Sequence, residues 1–170
     1  DQAALACGGG RVMDTAEIFI LGLGPAGASA AAEAARSGCK VIAVDRKREP
    51  GRPVQCAEFV PVMIGTDVGD LARCVRQRIG SMITFVEDDA PDVKGDFPGH
   101  MLDRAAFDAA LVAGAERAGA ECDFGLSVRR ISRDGVVELS DGRAIAPRVL
   151  IGADGPRKAR GNTCPGDNAK

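Results

Sequence analysis

Residues 18–45 read IFILGLGPAGASAAAEAARSGCKVIAVD, and the fold of the chain turns on them. An apolar run, Ile18 to Leu23, enters a turn that carries Gly22, Gly24 and Gly27. A helix of small residues follows, opened by Pro25 and Ala26, and Ser37-Gly38 stops it. A second apolar run then ends at Asp45, 23 residues after Gly22. Strand, glycine turn, helix, strand and terminal acid are the parts of a βαβ unit that grips a dinucleotide. Each glycine has a mechanical reason. Gly22 permits a tight turn, Gly24 lets backbone approach a pyrophosphate, and Gly27 lets the helix lie against the strand. The helix N-terminus turns N–H groups and the positive end of its dipole toward phosphates. Asp45 is placed to accept hydrogen bonds from ribose hydroxyls, and the same carboxylate disfavours a 2′-phosphate. An ordinary βαβ crossover with a glycine turn is the plainer alternative.

Around this unit the chain has the make-up of a globular domain. Its 170 residues fit one domain or one and a fraction, with 45% hydrophobic and 27% charged residues. A net charge of −2 gives no reason to expect nucleic acid or an anionic membrane as partner. Six Phe with no Trp or Tyr leave few surfaces for stacking bases. No apolar run approaches the ~18 residues of a membrane-spanning helix, so membrane contact is expected to be peripheral at most. The start of the chain lacks the pattern of a secretory signal, and a cytoplasmic location is the expectation. The cysteines, at positions 7, 39, 56, 74, 122 and 164, are too scattered for a zinc site, and they are expected as reduced thiols. His100 is the only histidine, which rules out a multi-histidine metal site within the chain.

The remaining sequence divides by composition. Residues 1–14 are expected to be an N-terminal extension, with Met13 just before the first strand. Residues 15–160 form the main domain, with 52–98 as a loop or substrate-side insertion. Residues 161–170 are expected to be a disordered tail. Within the insertion, Leu71, Cys74, Val75, Arg78 and Ile79 suggest a short helical stripe, and Ser81 to Val86 a strand. MLDRAAFDAALVAGAERAGAE, from Met101, predicts a helix with Asp103 as N-cap and an apolar face of Phe107, Ala110, Leu111 and Gly114. Short strands at 127–131, 136–139 and 144–146, divided by Asp-Gly turns, predict a β-meander. A separate buried strand is expected over 148–153, ending in Asp154-Gly155.

Three blocks therefore occur in order: LGLGPAGASAA…VIAVDR, HMLDRAAFDAALVAGAERAGAE and VLIGADGPRKAR. Together they resemble the N-terminal half of FAD-dependent oxidoreductases of the group that includes aromatic-ring hydroxylases and geranylgeranyl reductases. GRPVQCAEFVP, residues 51–61, is most similar to the geranylgeranyl reductase branch, with Cys-Ala-Glu where that branch usually has Cys-Gly-Glu. The resemblance implies FAD as cofactor. It implies that Gly22, Gly24, Pro25, Ala26 and Gly27 cradle the pyrophosphate, that Asp45 and Arg46 serve the adenosine end, and that Asp154 lies near the pyrophosphate and ribityl region. Arg104 either reaches the pyrophosphate or pairs with Asp108 one helical turn on. Cys56 is the weak catalytic candidate, near the flavin and substrate, its alternative being a small apolar loop residue. No metal ligand set is expected. The group's later Gly-Asp-Ala motif is absent, since Gly166-Asp167 comes too soon after Asp154.

The expected fold is α/β: a Rossmann-like FAD-binding βαβ fold with an inserted β-meander, truncated before the C-terminal half. The expected function is the FAD-binding part of a geranylgeranyl reductase-like flavoprotein that reduces isoprenoid double bonds. A flavin-dependent aromatic monooxygenase and a non-catalytic nucleotide-binding fragment are the alternatives. The partner is a small-molecule or lipid substrate, and the sequence leaves the oligomeric state open.

Overall fold

A computed structural model describes residues 13–54, 58–63, 71–87 and 90–155. The opening unit folds as its sequence predicts. Strand β1 (Met13–Leu21) leads into helix α1 (Pro25–Arg36), and β2 (Val41–Asp45) returns parallel to β1. Strand β1 starts at Met13, slightly before the expected domain edge at residue 15, because its first residues already pair with the start of the last strand.

Helix α3 (Arg104–Arg117) follows the insertion, and β8 (Glu121–Phe124) then joins β2 in parallel. The chain continues through β9 (Val128–Ile131), β10 (Val137–Leu139) and β11 (Ala144–Gly152). Together they form a six-stranded sheet in the order β8-β2-β1-β11-β10-β9. Alternation in β1 and β2 splits the core in two. Ile20 and Ala43 point to one face, under Ala28, Ala31 and Ala32 of α1 and Val112 and Ala115 of α3. Phe19, Ile42 and Val44 point to the other, under Val137, Leu139 and Ile145 of the meander. All five residues of β2 are buried, as expected of a parallel strand covered on both faces. Each fully buried side chain of the size of Phe19 or Ile20 contributes about 1.5–3 kcal/mol. Alanines along α1 keep that helix close to the sheet, which places its N-terminus beside the ends of β1 and β2.

The described residues between 58 and 102 form a second, smaller layer. Strands β3 (Phe59–Pro61), β7 (Gly99–Leu102) and β4 (Val75–Ile79) make an antiparallel sheet, and β5 (Met82–Thr84) pairs with β6 (Asp92–Lys94). Gly99 leaves room for the Phe59 ring, which stacks on Phe97 at 5.3 Å. Cys74 and Leu102 pack on Phe107 of α3 and tie this layer to the main domain.

Several expectations change. The helical stripe over 71–79 is a four-residue helix, α2 (Leu71–Cys74), followed by β4. Pairing with β7 overrides the helical spacing there, since Val75 and Ile79 are β-branched and suit a strand. The strand expected over 81–86 shortens to Met82–Thr84. The buried stripe of α3 runs through Phe107, Asp108, Val112 and Ala115, rotated from the expected face because the helix packs on α1 as well as on the small layer. The last meander strand and the strand before Asp154 are one element, β11. Pro147 does not break it: β10 has already parted from β11 after Ile145, so the missing N–H leaves no antiparallel bond unmade. Nor is the second half of β11 buried, for Val149 is 50% exposed.

Candidate functional site

The carboxyl ends of four strands converge. The Gly22 N–H donates to the Val44 carbonyl at 2.8 Å, which ties the turn after β1 to the end of β2. The Ala153 N–H donates to the Leu21 carbonyl at 2.7 Å, which brings the end of β11 alongside. After β8, the N–H groups of Gly125 and Leu126 donate to the carbonyls of Lys47 and Asp45. Ligands of open parallel sheets bind at such carboxyl ends. Here the strand ends surround a cavity of about 610 Å³, a size common for small-molecule sites.

Of the sequence-predicted residues, Gly22, Gly24, Pro25, Ala26, Asp45 and Arg46 line that cavity, as do Arg104 and Asp154. Gly27 does not line it but lies behind the turn. A Cβ on Gly27 would stand 1.8 Å from the Gly22 carbonyl oxygen, so only glycine lets α1 approach this closely. Gly22 has φ +102°, and a Cβ there would meet the Ala153 carbonyl oxygen at 2.4 Å. Gly24 differs from both. Its absent side chain would meet nothing within 4 Å, so the residue leaves bare backbone on the cavity wall. Gly24 is also the N-cap of α1, with no side-chain cap and Pro25 following. That end of the helix therefore faces the cavity with its dipole unopposed by a capping carboxylate.

Asp45 is buried, and both its oxygens are engaged. Oδ2 accepts from the Leu23 N–H at 2.8 Å and Oδ1 from the Lys47 N–H at 2.8 Å. Each carboxylate oxygen has capacity for a further donor. The backbone thus fixes the orientation of an acceptor that fronts the cavity. Arg104 opens α3 and pairs with Asp108: Nη2 lies 3.0 Å and Nε 3.2 Å from Oδ1. The pairing with Asp108 is therefore present, and Arg104 also lines the cavity. Asp103 caps α3, its Oδ1 accepting from the Ala106 N–H at 3.1 Å. That bond, with Arg76 beside the other oxygen, holds the Asp103 carboxyl below its ordinary range. Cys56 lies outside the described residues, as do residues 161–170 and Pro156.

Sequence reasoning missed several lining residues. Gly51 carries no site role in the sequence, where it only opens the 51–61 stretch. It has φ +67°, and a Cβ there would meet the Ala105 Cα at 2.7 Å and the Arg104 carbonyl oxygen at 2.9 Å. The loop after β2 thus closes onto α3 at a glycine. Asp108 was read only as a partner for Arg104, yet it too lines the cavity. Leu126, Ser127 and Val128 line it from the connection between β8 and β9, a placement that only the parallel pairing of β2 and β8 reveals.

Away from the cavity, Arg143 precedes β11 and bridges Asp141 at 2.8 Å, Asp123, and Glu121 at 3.2 Å. Asp123 chiefly raises its pKa. Burial pushes the Asp141 carboxyl up, but the Arg143 N–H and guanidinium bring it below its usual value. Burial and the nearby Glu116 push the Cys122 thiol up to about 11. Among the described residues, Cys39 and Cys122 are free thiols, no cluster suits a metal ion, and no helix is long and apolar enough to cross a membrane.

Comparison with known proteins adds a family to this geometry. The sequence profile described as "Lycopene cyclase protein" matches residues 17–168. An uncharacterized protein in the nifH2 5′ region of Methanosarcina barkeri is 36% identical over 159 residues, covering 82% of each chain. Digeranylgeranylglycerophospholipid reductase 1 of Methanopyrus kandleri is 34% identical over 160 residues, covering 86% of this chain and 41% of the reductase. The chain thus spans about two fifths of the length of that reductase. A geranylgeranyl bacteriochlorophyll reductase-like crystal structure from Thermoplasma acidophilum superposes with a TM-score of 0.74 at 24% identity, covering 84% of this chain and 40% of that one. That likeness establishes the fold.

Proposed function

This chain belongs to the lycopene cyclase protein family, and on that premise we propose that it is the FAD-gripping part of a flavoprotein oxidoreductase whose substrate is a geranylgeranyl lipid. The observation that carries the proposal is the convergence of Gly24, Asp45, Arg104 and Asp154 on one cavity at the carboxyl ends of parallel strands. The residues fit the ADP portion of FAD. Bare backbone at Gly24 admits a pyrophosphate, the start of α1 and the Arg104 guanidinium favour its charge, and Asp45 offers a fixed acceptor for ribose hydroxyls. Arg46 and Lys47 add positive charge at the ribose end of the cavity. Reduced FAD, when bound, would supply the hydride to an isoprenoid double bond; the protein's share is to bind and orient it. The relatives named as digeranylgeranylglycerophospholipid reductases support this substrate class. Cys56 is the proposed substrate-side residue.

The test is direct. The purified chain is mixed with FAD and passed through gel filtration, and its absorbance spectrum is recorded. Flavin bands that travel with the protein support the reading. Their absence, together with no detectable ADP binding by calorimetry, overturns it. ADP binding without retained flavin would favour the narrower reading of a nucleotide-binding part that does not itself turn over.

A further inference from the structure

Arg104 stands where a helix least favours it. It is the first residue of α3, directly after the Asp103 cap, and its charge lies at the positive end of the helix dipole. Its partner Asp108 lies toward the C-terminal side, and cation-before-anion is the less favourable order for an i, i+4 pair. Both side chains are largely out of water, at 18% and 6% exposure. Removing two charges from water costs free energy that a pair of this kind does not generally recover. Helix stability therefore does not account for the pair.

What the pair does is fix a direction. Asp108 engages the Nε and Nη2 side of the guanidinium, with Nη2 also 3.4 Å from Oδ2. The guanidinium carbon sits 6.0 Å from the centroid of the buried Phe107 ring. Gly51 closes the loop over the same turn, where a Cβ would come within 3.1 Å of the Asp108 Cβ. A flexible side chain is thus held on a carboxylate, beside a ring and under a glycine, at the edge of the cavity. We infer that Asp108 is a positioning residue: it aims Arg104 at the pyrophosphate of a bound adenine dinucleotide, and Gly51 permits that arrangement.

The inference rests on the nucleotide reading above, and it opposes simple electrostatics. Deleting a negative charge from a phosphate site strengthens phosphate binding if charge alone matters. Loss of aim weakens it instead. Calorimetric titration with ADP and with adenosine separates the two, using wild type, Asp108→Asn, Arg104→Lys and the double variant. Asp108→Asn is expected to weaken ADP about tenfold while adenosine stays within about twofold. Arg104→Lys keeps the charge but loses the planar fork, and adding Asp108→Asn to it is expected to change ADP affinity little further. Unchanged or tighter ADP binding by Asp108→Asn overturns the inference, and so does an equal loss of ADP and adenosine, which marks a merely structural residue. Failure of wild type to bind either ligand overturns the nucleotide reading itself, a result distinct from the other two.

Discussion

The βαβ region and the 58–102 layer differ in how their strands are covered. In the first, β1 and β2 are buried on both faces, and the connections at their ends hydrogen-bond to one another. In the second, the strands run three to five residues. Ile83 and Val93 pair across β5 and β6 with their side chains in solvent, and Phe85 beside them is 73% exposed. The buried Nδ1 of His100, on β7, has no partner among the described residues. The contrast teaches where specification resides. The geometry that builds the cavity is fixed several times over, by glycine contacts, backbone bonds and packing. The small layer is held to α3 by a core of three buried residues, Cys74, Leu102 and Phe107, with the partly buried Val60, Val75, Ala110 and Leu111 packed against it. Local opening is cheapest where buried apolar contacts are few.

The comparison breaks most severely at Gly27. Gly27→Ala forces a Cβ onto the Gly22 carbonyl, and we expect a loss of about 3 kcal/mol, read as a lower midpoint in urea unfolding. Gly24→Ala is its counterpart: with open space around the new methyl, it costs about 0.5 kcal/mol as a poorer N-cap, yet ADP binding falls sharply in calorimetry. If both variants lose stability equally, the division between packing glycine and cavity glycine fails. Next in size is Asp45→Ala, which leaves the Leu23 and Lys47 N–H groups without their acceptor and costs about 1–3 kcal/mol by the same urea measurement.

Acid sharpens the picture at the far end of β11. The Asp141 carboxyl sits below its unfolded value of 3.8, so its pairing with Arg143 is fully present above that pH and is lost as pH falls through the lower folded value. Melting temperature should therefore fall more steeply below about pH 4 in wild type than in Asp141→Asn. A parallel decline in both would remove Asp141 from the account. Cys122, with its thiol pushed up to about 11, should react with iodoacetamide at pH 8 far more slowly than in urea-unfolded protein, as read by mass spectrometry. The smallest effect belongs to the exposed hairpin: Phe85→Ser should change stability by no more than about 0.5 kcal/mol. A large loss there would show that the small layer is more tightly specified than its packing indicates.

What the sequence disclosed follows the same division. Residues 18–45 were legible because glycine positions, apolar runs and a terminal acid all pointed to one local structure. Asp103 as cap and the Asp-Gly turns were legible for the same local reason. Residues 71–79 were not, since apolar spacing suited helix and strand alike and pairing with β7 decided between them. The strand over 144–152 was misdivided because Pro147 reads locally as a break, and only the early departure of β10 makes it harmless. Gly51, Asp108 and the 126–128 connection reach the cavity through tertiary contacts that carry no local signature.

One consequence follows from the way β11 is mounted. Strand β1 holds it along its whole length, while β10 pairs with it only at Ala144 and Ile145. At its other end, Ala153 touches the Gly22 turn through main-chain atoms on both sides of the contact. The Gly22 turn and the end of β11 are thus joined by peptide groups, and a side chain at Gly22 would part them, its Cβ meeting the Ala153 carbonyl oxygen at 2.4 Å. A ligand that orders the Gly22 turn is therefore expected to slow amide hydrogen exchange along β11, by reciprocity of linked equilibria.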